Sequence, residues 1–483
     1  GGGVRTAYMK GTGFFASSAD IFVWLSQFIN LEQGYTPNSF RPERMALIAE
    51  LAGHPERSAP AIHVAGSKGK GSITGMLSAV LEAWGLRPAR YLSPHVTEYR
   101  ERITAGDRFF DEPVYCEAGD ELRAIAEALT DKTRDEYRMF DGDAEGGEGP
   151  TFFELLTLFF FLCARKGGCT AMAVETGMGG RLDPTNVVDP LVSVITVIEL
   201  EHTEFLGNTL SSVAFEKAGI IKPGKPVILG EQRGEALEVF RKTAAERGAP
   251  LFYVPEIAAI ENLRVHRGGT DFTLAFTGPP FFAEPLEISL GIPGAVQAEN
   301  AALAVAALKA AYPAIDAAAI RRGLRGFSLP ARFERVREDP AVIIDGAHTE
   351  KSVGNCVETF TSLYGRGGIL LFGCATGKNA EAMAKQLLPC FSRIIITTPG
   401  TFKTSEPAKV FALFESLASR GAGGASWDGA AGGTGPRLAL IEETAKAIDH
   451  ALEWGREQGL PVLGIGSFYL AAEIRTHRGI RPR

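Results

Sequence analysis

The sequence predicts an α/β fold in two domains, each built on a mostly parallel sheet covered by helices. Three observations lead there. Strand-like apolar runs alternate with amphipathic helical patterns along most of the chain, as parallel sheets with helical crossovers require. The alternation is interrupted once, near residues 251–290, and then resumes. The 483 residues are also too many for one ordinary hydrophobic core.

In the first series, strands are expected at 61-AIHVAG-66, 89-ARYLS-93, 170-TAMAVET-176, 191-LVSVITVI-198 and 226-PVILG-230. After Gly71, the residues Ile73, Met76, Leu77, Val80, Leu81 and Trp84 recur at helical spacing and make one buried stripe. The longest apolar run, 151-TFFELLTLFFFLCA-164, is interrupted by Glu154. It is shorter than the roughly 20 residues that a spanning helix needs, so it reads as a buried helix. The segments LFYV (251–254), DFTLAF (271–276) and LEISL (286–290) predict a small antiparallel patch, followed by a helix over 297–312. Glycines and a proline in 323-GLRGFSLPARFE-334 mark a junction and divide the chain into domains 1–326 and 331–483.

The second series has strands at 341-AVIIDG-346, 368-GILLFG-373, 393-RIIITT-398, 438-LALIE-442 and 461-PVLGIG-466. It reads as a Rossmann-like unit without the dinucleotide fingerprint. The runs 141-DGDAEGGEGP-150 and 420-RGAGGASWDGAAGGTGP-436 read as mobile loops.

Composition narrows the function classes. Apolar residues make up 45% and charged residues 22%, as in soluble globular proteins. A net charge of −7 argues against a nucleic-acid partner held by phosphate neutralisation. It leaves room for a small anion in a local basic pocket. Cys116, Cys163, Cys169, Cys356, Cys374 and Cys390 never form a CxxC pair, which suits reduced thiols in the cytoplasm. The N-terminal residues lack the charged and apolar regions of a signal peptide. The expectation is a cytoplasmic monomer with small-molecule substrates, no membrane and no nucleic acid.

The stretch 66-GSKGKGS-72 is a variant of the phosphate-binding pattern GxxxxGK[ST]. Glycines let backbone N–H groups turn inward, and the helix that follows points its positive end at the anion. Lys70 would reach the β- and γ-phosphates, and Ser72 would approach a metal. A plain glycine turn is the alternative, but the strand–loop–helix context is the one that phosphate binding requires.

Three segments put polar groups at the carboxyl ends of expected strands, where ligands gather in open parallel sheets. They are 92-LSPHVTEYRERI-103, 174-VETGMGGRLDPTN-186 and the stretch beginning 199-ELEHTEFLGN-208. Ser93, Glu175 and His202 sit there. Hydroxyl, carboxylate and imidazole suit Mg²⁺ when phosphates and waters complete an octahedron. Taken singly, each has an ordinary explanation: a helix cap, a solvated carboxylate or a locally bonded imidazole.

Together, 63-HVAGSKGKGS-72, 93-SPH-95 with ERI, 151-TFFE-154, 174-VETGMGGRLDPTN-186, His202 with EKAGI (216–220), and 345-DGAH-348 resemble folylpolyglutamate synthase. This is the folate branch of the Mur-ligase superfamily, which also holds dihydrofolate synthase. The resemblance runs over nearly the whole chain. It implies a P-loop Mur-ligase-like ATP-binding domain and a smaller Rossmann-like glutamate-ligase domain. It also implies a reaction: L-glutamate is joined to a folate carboxylate at the expense of ATP, through an acyl phosphate. By the same resemblance, Gly69, Lys70, Gly71 and Ser72 would cradle the ATP phosphates, with Gln297, Asn300, Arg332 and Asp345 as further nucleotide contacts. ATP would then be clamped between the two domains, and closure would exclude water.

Ser93, Glu175 and His202 would hold Mg²⁺. Lys217 matches a position that is often a carbamylated lysine in the superfamily, although alone Glu216-Lys217 reads as an ordinary charged helix turn. Thr151, Phe152, Phe153, Glu154, Leu182 and Asp183 would form the folate side. On pattern alone, Phe152 and Phe153 are core residues. His348 and Ser467 resemble residues near the incoming glutamate, and His348 would join Lys70 and Lys217 as a catalytic residue.

The chain also departs from the pattern of these relatives. Ser67-Lys68 replaces the usual Thr-Asn, Glu201 replaces an Asp before His202, and 377-GKN-379 replaces an Asp-Lys-Asp. Two other classes are weighed. A ligase acting on a cell-wall nucleotide would need a further N-terminal domain, for which the residues before the first strand are too few. A binding protein without turnover would be expected to lack Lys217, Arg332 or the metal ligands, all of which are present.

Overall fold

The computed structural model describes residues 14–28, 41–136, 150–200, 206–400, 403–422 and 436–480. Nearly all of the two expected mobile loops, together with Glu201 and His202, lie outside them. The chain forms two compact units. One is Gly1–Ser93, Tyr99–Pro255 and Ala306–Ala314; the other is Pro94–Glu98, Glu256–Val305 and Ile315–Arg483. The antiparallel patch, expected within domain 1–326, therefore groups with the C-terminal residues.

The first unit is built on β1 (Ala61–Ala65), β2 (Pro88–Tyr91), β3 (Ile103–Ala105), β4 (Ala171–Glu175), β5 (Val192–Ile195), β6 (Val227–Leu229) and β7 (Leu251–Tyr253). They make one seven-stranded sheet in the order β3-β2-β4-β1-β5-β6-β7. All pairs are parallel except β2 with β3. β1 and β4 are buried along their whole length, which is why they read as continuous apolar runs.

β7 corrects an expectation. The sequence places LFYV in the antiparallel patch, but Leu251–Tyr253 pairs parallel with β6 at the sheet edge. The helix Glu235–Glu246 returns the chain in the same direction, as in any strand–helix–strand crossover. A half-buried strand of three residues carries no periodicity from which this could be read.

The apolar run of the first unit is the helix Phe152–Lys166, buried over most of its surface. Thr151 and Glu154 form a reciprocal capping box at its start. Arg44 Nε also donates to Glu154 Oε1 and Oε2 at 2.9 and 2.7 Å. The two side chains are 2% and 3% exposed, so neither charge has water as an alternative partner. Burial pushes the Glu154 carboxyl up against the pull of Arg44 and Thr151. Truncating one member of such a pair strands the other. Arg44→Ala is therefore expected to cost about 3–5 kcal/mol of stability, measured by denaturant unfolding. A cost within 1 kcal/mol would show that the pair is not load-sharing in the core.

The second unit contains an antiparallel sheet of β8 (Ala258–His266), β9 (Gly269–Phe276) and β10 (Leu286–Leu290). It also contains β11 (Glu334–Arg337), β12 (Val342–Ile344), β13 (Gly368–Phe372), β14 (Phe391–Ile396), β15 (Arg437–Leu440) and β16 (Val462–Ile465). These six are ordered β11-β12-β16-β13-β14-β15, and only the β11–β12 pair is antiparallel.

Alternate residues of β13 enter different cores. Leu370 and Phe372 pack with the helices Glu350–Tyr364 and Ala380–Leu387, whereas Ile369 and Leu371 pack with Thr444–Gln458 and Phe468–Thr476. The sheet is thus covered on both faces. β12 leads directly into Asp345, and β16 leads into Ser467 after Gly466.

Candidate active site

The loop after β1 is held by the chain leaving β5. Gly66 has φ +142°, and a Cβ there would lie 1.8 Å from Thr196 Oγ1, so only glycine fits. Thr196 N donates to Ala65 O, and its hydroxyl donates to Lys68 O at 2.6 Å. Ser67 N donates to Val197 O at 3.0 Å, and Glu199 N donates to Ser67 Oγ at 2.9 Å. The Ser67-Lys68 departure is thus accommodated with a hydroxyl and a carbonyl in use. Gly69, at φ 84°, precedes the helix Lys70–Ala83, which contains Gly71 and the buried Ser72 in its first turn.

Two lysines converge on one carbonyl. Lys70 Nζ donates to Gly66 O at 2.8 Å, and Lys217 Nζ donates to the same oxygen at 2.9 Å. Lys217 is 1% exposed. It projects inward from the helix Leu210–Ala218, while its neighbour Glu216 turns out to pair with Arg181. The ordinary charged helix turn describes Glu216 but not Lys217. The EKAGI and GMGGR segments are also joined: Arg181 N donates to Glu216 O at 2.7 Å. A Cβ on Gly219 would lie 2.3 Å from Arg181 Cα.

Glu175 ends β4 in register with Val64 of β1, two residues before Gly66. Its Oε2 accepts from Ser93 N at 3.1 Å, so Ser93 and Glu175 are adjacent. A hydroxyl and a buried carboxylate are hard oxygen donors, as Mg²⁺ prefers. His202 lies outside the described residues.

The turn after Glu175 is organised by Asp183. Its Oδ2 accepts from Gly177 N and Met178 N, both at 2.9 Å. Its Oδ1 accepts from Thr185 N at 3.0 Å and from Thr185 Oγ1 at 2.5 Å. Burial pushes this carboxyl up, and the four donors oppose the shift. Thr185 Oγ1 also lies 2.7 Å from His63 Nε2 on β1. Burial, then the charge of Lys222, pulls His63 down to about 3, so it is neutral. With the Thr185 hydroxyl donating to Asp183, His63 Nε2 carries the hydrogen. Leu182 keeps partial exposure on this turn.

Of the TFFE segment, Thr151, Phe152 and Glu154 are a helix cap, a core ring and half of a buried ion pair. Phe153 keeps partial exposure and meets Phe152 edge-on at 5.4 Å.

In the second unit, Gln297 and Asn300 are buried on the helix Ala295–Ala311 and share a 3.0 Å hydrogen bond. Asp345 accepts from Phe333 N through Oδ2 and from Ala347 N through Oδ1, both at 2.8 Å. Burial pushes its carboxyl up against the nearby Arg332 charge. Ser467 caps the helix Phe468–Thr476 through Tyr469 N. His348 Nδ1 lies 2.8 Å from Gly346 O, a contact in which the nitrogen donates. In the altered GKN segment, Asn379 caps the helix Ala380–Leu387, a task that an aspartate could also perform.

Sequence reasoning missed Arg44, His63 and Phe468. Arg44 lies 110 residues from its partner and has no local signature. The Thr-x-x-Glu spacing of a capping box was a legible sign that Glu154 had structural work.

Residues 141–308 match the Mur ligase middle domain, and residues 331–468 match the Mur ligase glutamate ligase domain. A dihydrofolate synthase/folylpolyglutamate synthase of Bacillus subtilis (strain 168) is 34% identical over 350 residues, covering 71% of this chain and 77% of that protein. The chain belongs to the folylpolyglutamate synthase family.

A relative from Haloferax volcanii, named a probable bifunctional folylpolyglutamate synthase/dihydropteroate synthase, is 31% identical over 433 residues. The match covers 88% of this chain but only 46% of that longer protein. The folylpolyglutamate synthase of Mycobacterium tuberculosis, solved in complex with ADP, superposes with a TM-score of 0.80 at 25% identity. That match covers 96% of this chain and 99% of the other. As a member of this family of Mur ligases, the chain is an ATP-dependent ligase. No helix among the described residues is long and apolar enough to cross a membrane.

Proposed function

We propose that this family member joins L-glutamate to the carboxylate of a reduced folate or dihydropteroate, converting ATP to ADP and phosphate. The observation that carries the reading is the convergence of Lys70 and Lys217 on Gly66 O, with Glu175 in register two residues away.

A carboxylate is a poor acylating agent and needs a leaving group. The γ-phosphoryl of ATP moves to the folate carboxylate, the glutamate amine attacks the acyl phosphate, and phosphate leaves. Gly69, Gly71 and Ser72 offer backbone N–H groups, and Lys70 offers a charge, to the phosphate oxygens on which charge develops. Ser93 and Glu175, with His202, would hold Mg²⁺, which supplies charge neutralisation at those oxygens. Lys217 is assigned as the carbamylation site: its neutral amine would form an N–C bond to CO₂, release one proton to solvent and become a carbamate anion near the metal ligands.

In the second unit, Gln297, Asn300, Arg332 and Asp345 are assigned to the nucleotide, and His348 and Ser467 to glutamate. Phe153 and Leu182, which keep exposure, are assigned to folate contact. Thr151, Phe152, Glu154 and Asp183 are assigned to holding that surface in shape. All six cysteines are free thiols and five are buried, which supports a reducing compartment such as the cytoplasm.

The test is phosphate release from Mg·ATP and L-glutamate with dihydropteroate, with tetrahydrofolate and with no acceptor, followed by mass spectrometry. Acceptor-dependent release and a product heavier by one glutamyl unit are expected. Absence of such a product with both acceptors would overturn the reading. The acceptor that works decides between the dihydrofolate synthase and polyglutamylating activities. Chelation with EDTA is expected to abolish release, and excess Mg²⁺ to restore it. Turnover that persists in EDTA would remove the metal from the mechanism.

A further inference from the structure

The helix Phe468–Thr476 begins with an aromatic residue that the assigned reaction does not use. The Arg332 guanidinium carbon lies 4.4 Å from the centre of the Phe468 ring. The His348 ring meets it nearly edge-on, with centroids 6.0 Å apart and planes at 62°. The backbone of Gly346 closes a further side: a Cβ there would lie 2.1 Å from a Phe468 ring carbon. One ring therefore touches the arginine, the histidine and the DGAH loop.

Arg332 is held in an unusual way. Its neighbours Ala331 and Phe333 both have positive φ, 54° and 45°, which side chains other than glycine rarely adopt. Such strain persists only where the surroundings over-determine it. Here Gly346 N donates to Ala331 O at 2.9 Å, Ala331 N to Glu334 Oε2 at 2.9 Å, and Phe333 N to Asp345 Oδ2 at 2.8 Å. These bonds set the backbone of Arg332, and its Nη1 donates to Ala331 O at 3.3 Å. The Phe468 face then orients the plane of the guanidinium, because a planar cation is attracted to the negative face of an aromatic ring. His348 is set in a similar way, with Nδ1 committed to Gly346 O and one side of the ring against Phe468.

We propose that Phe468 is a positioning residue that orients Arg332 and His348 together, coupling a group assigned to the nucleotide to a group assigned to incoming glutamate. The proposal rests on the ligase assignment above for what those two groups bind. The π face is the essential element. Leucine would fill most of the space without supplying it, whereas tyrosine would keep it.

The test compares Phe468→Leu, Phe468→Met and Phe468→Tyr with the unaltered chain. Phe468→Leu is expected to raise KM for both ATP and glutamate by about 3–30-fold. KM for the folate acceptor should stay within about twofold, because its assigned contacts lie on other elements. Phe468→Tyr should restore both values. Phe468→Met repeats the comparison should the leucine variant fold poorly. ADP affinity by calorimetry reads the Arg332 half without turnover, so failure of the ligase assignment is distinguishable from failure of this one. In a double-mutant cycle with Arg332→Lys, the losses in ADP affinity should be less than multiplicative. Unchanged KM values and ADP affinity in a folded leucine variant would overturn the proposal. A change in only one of the two KM values would overturn the coupling.

Discussion

Lys70→Ala is expected to lower kcat/KM by about 100–1,000-fold, the scale on which single charge-stabilising donors act. It should also weaken ADP binding. The variant should remain folded, because the loop does not depend on this side chain for its shape. Thr196, Val197 and Glu199 pin residues 65–68 through backbone and hydroxyl hydrogen bonds in which Lys70 takes no part. What is lost is the ammonium group now on Gly66 O. Steady-state kinetics and calorimetry with ADP check this, with a melting curve as the control. Normal activity in the variant would remove the loop from the mechanism.

Lys217→Ala is expected to abolish turnover to a comparable or larger degree while leaving ADP binding largely intact. Here a structural cost must be separated from a chemical one. Lys217 is 1% exposed, and its Nζ donates to Gly66 O. Truncation removes a buried side chain and one of the two donors to that carbonyl, while Lys70 keeps the other, so the cost is that of the lost hydrogen bond and the space left behind, about 1–3 kcal/mol. A lower melting temperature is therefore expected and is not itself informative. Chemical rescue separates the two costs. A small carboxylate such as formate or acetate would replace the anion of a carbamate and restore part of the turnover. It would do nothing for a missing ammonium group. Turnover unchanged from the unaltered chain would sink the carbamate assignment.

These two lysines also show how far the sequence could be read. Lys70 was legible because its requirement is local: strand, glycine turn and helix follow one another within a dozen residues. Lys217 was not, because from spacing alone it is one of two adjacent charges on a short helix. Its direction is decided by the packing of that helix against the helix Glu235–Glu246 and by its bond to the GMGGR turn. Asp183 and His63 show the same limit. Each lies inside a legible motif, yet the bond chain through Thr185 joins β1 to a turn 122 residues away in sequence.

The sequence by itself determined the alternating strands and helices, the phosphate loop and the order of motifs that resembles the family. All of these are properties of neighbouring residues, whether periodicity, glycine at special φ or a short spacing. Only the tertiary structure decided which sheet β7 joins, that Arg44 completes Glu154, that Lys217 points inward and that Phe468 lies against both Arg332 and His348. Each of those is a contact between distant residues, or a choice between two faces of one element. Such choices are settled by burial and pairing in three dimensions, which leave no pattern along the chain.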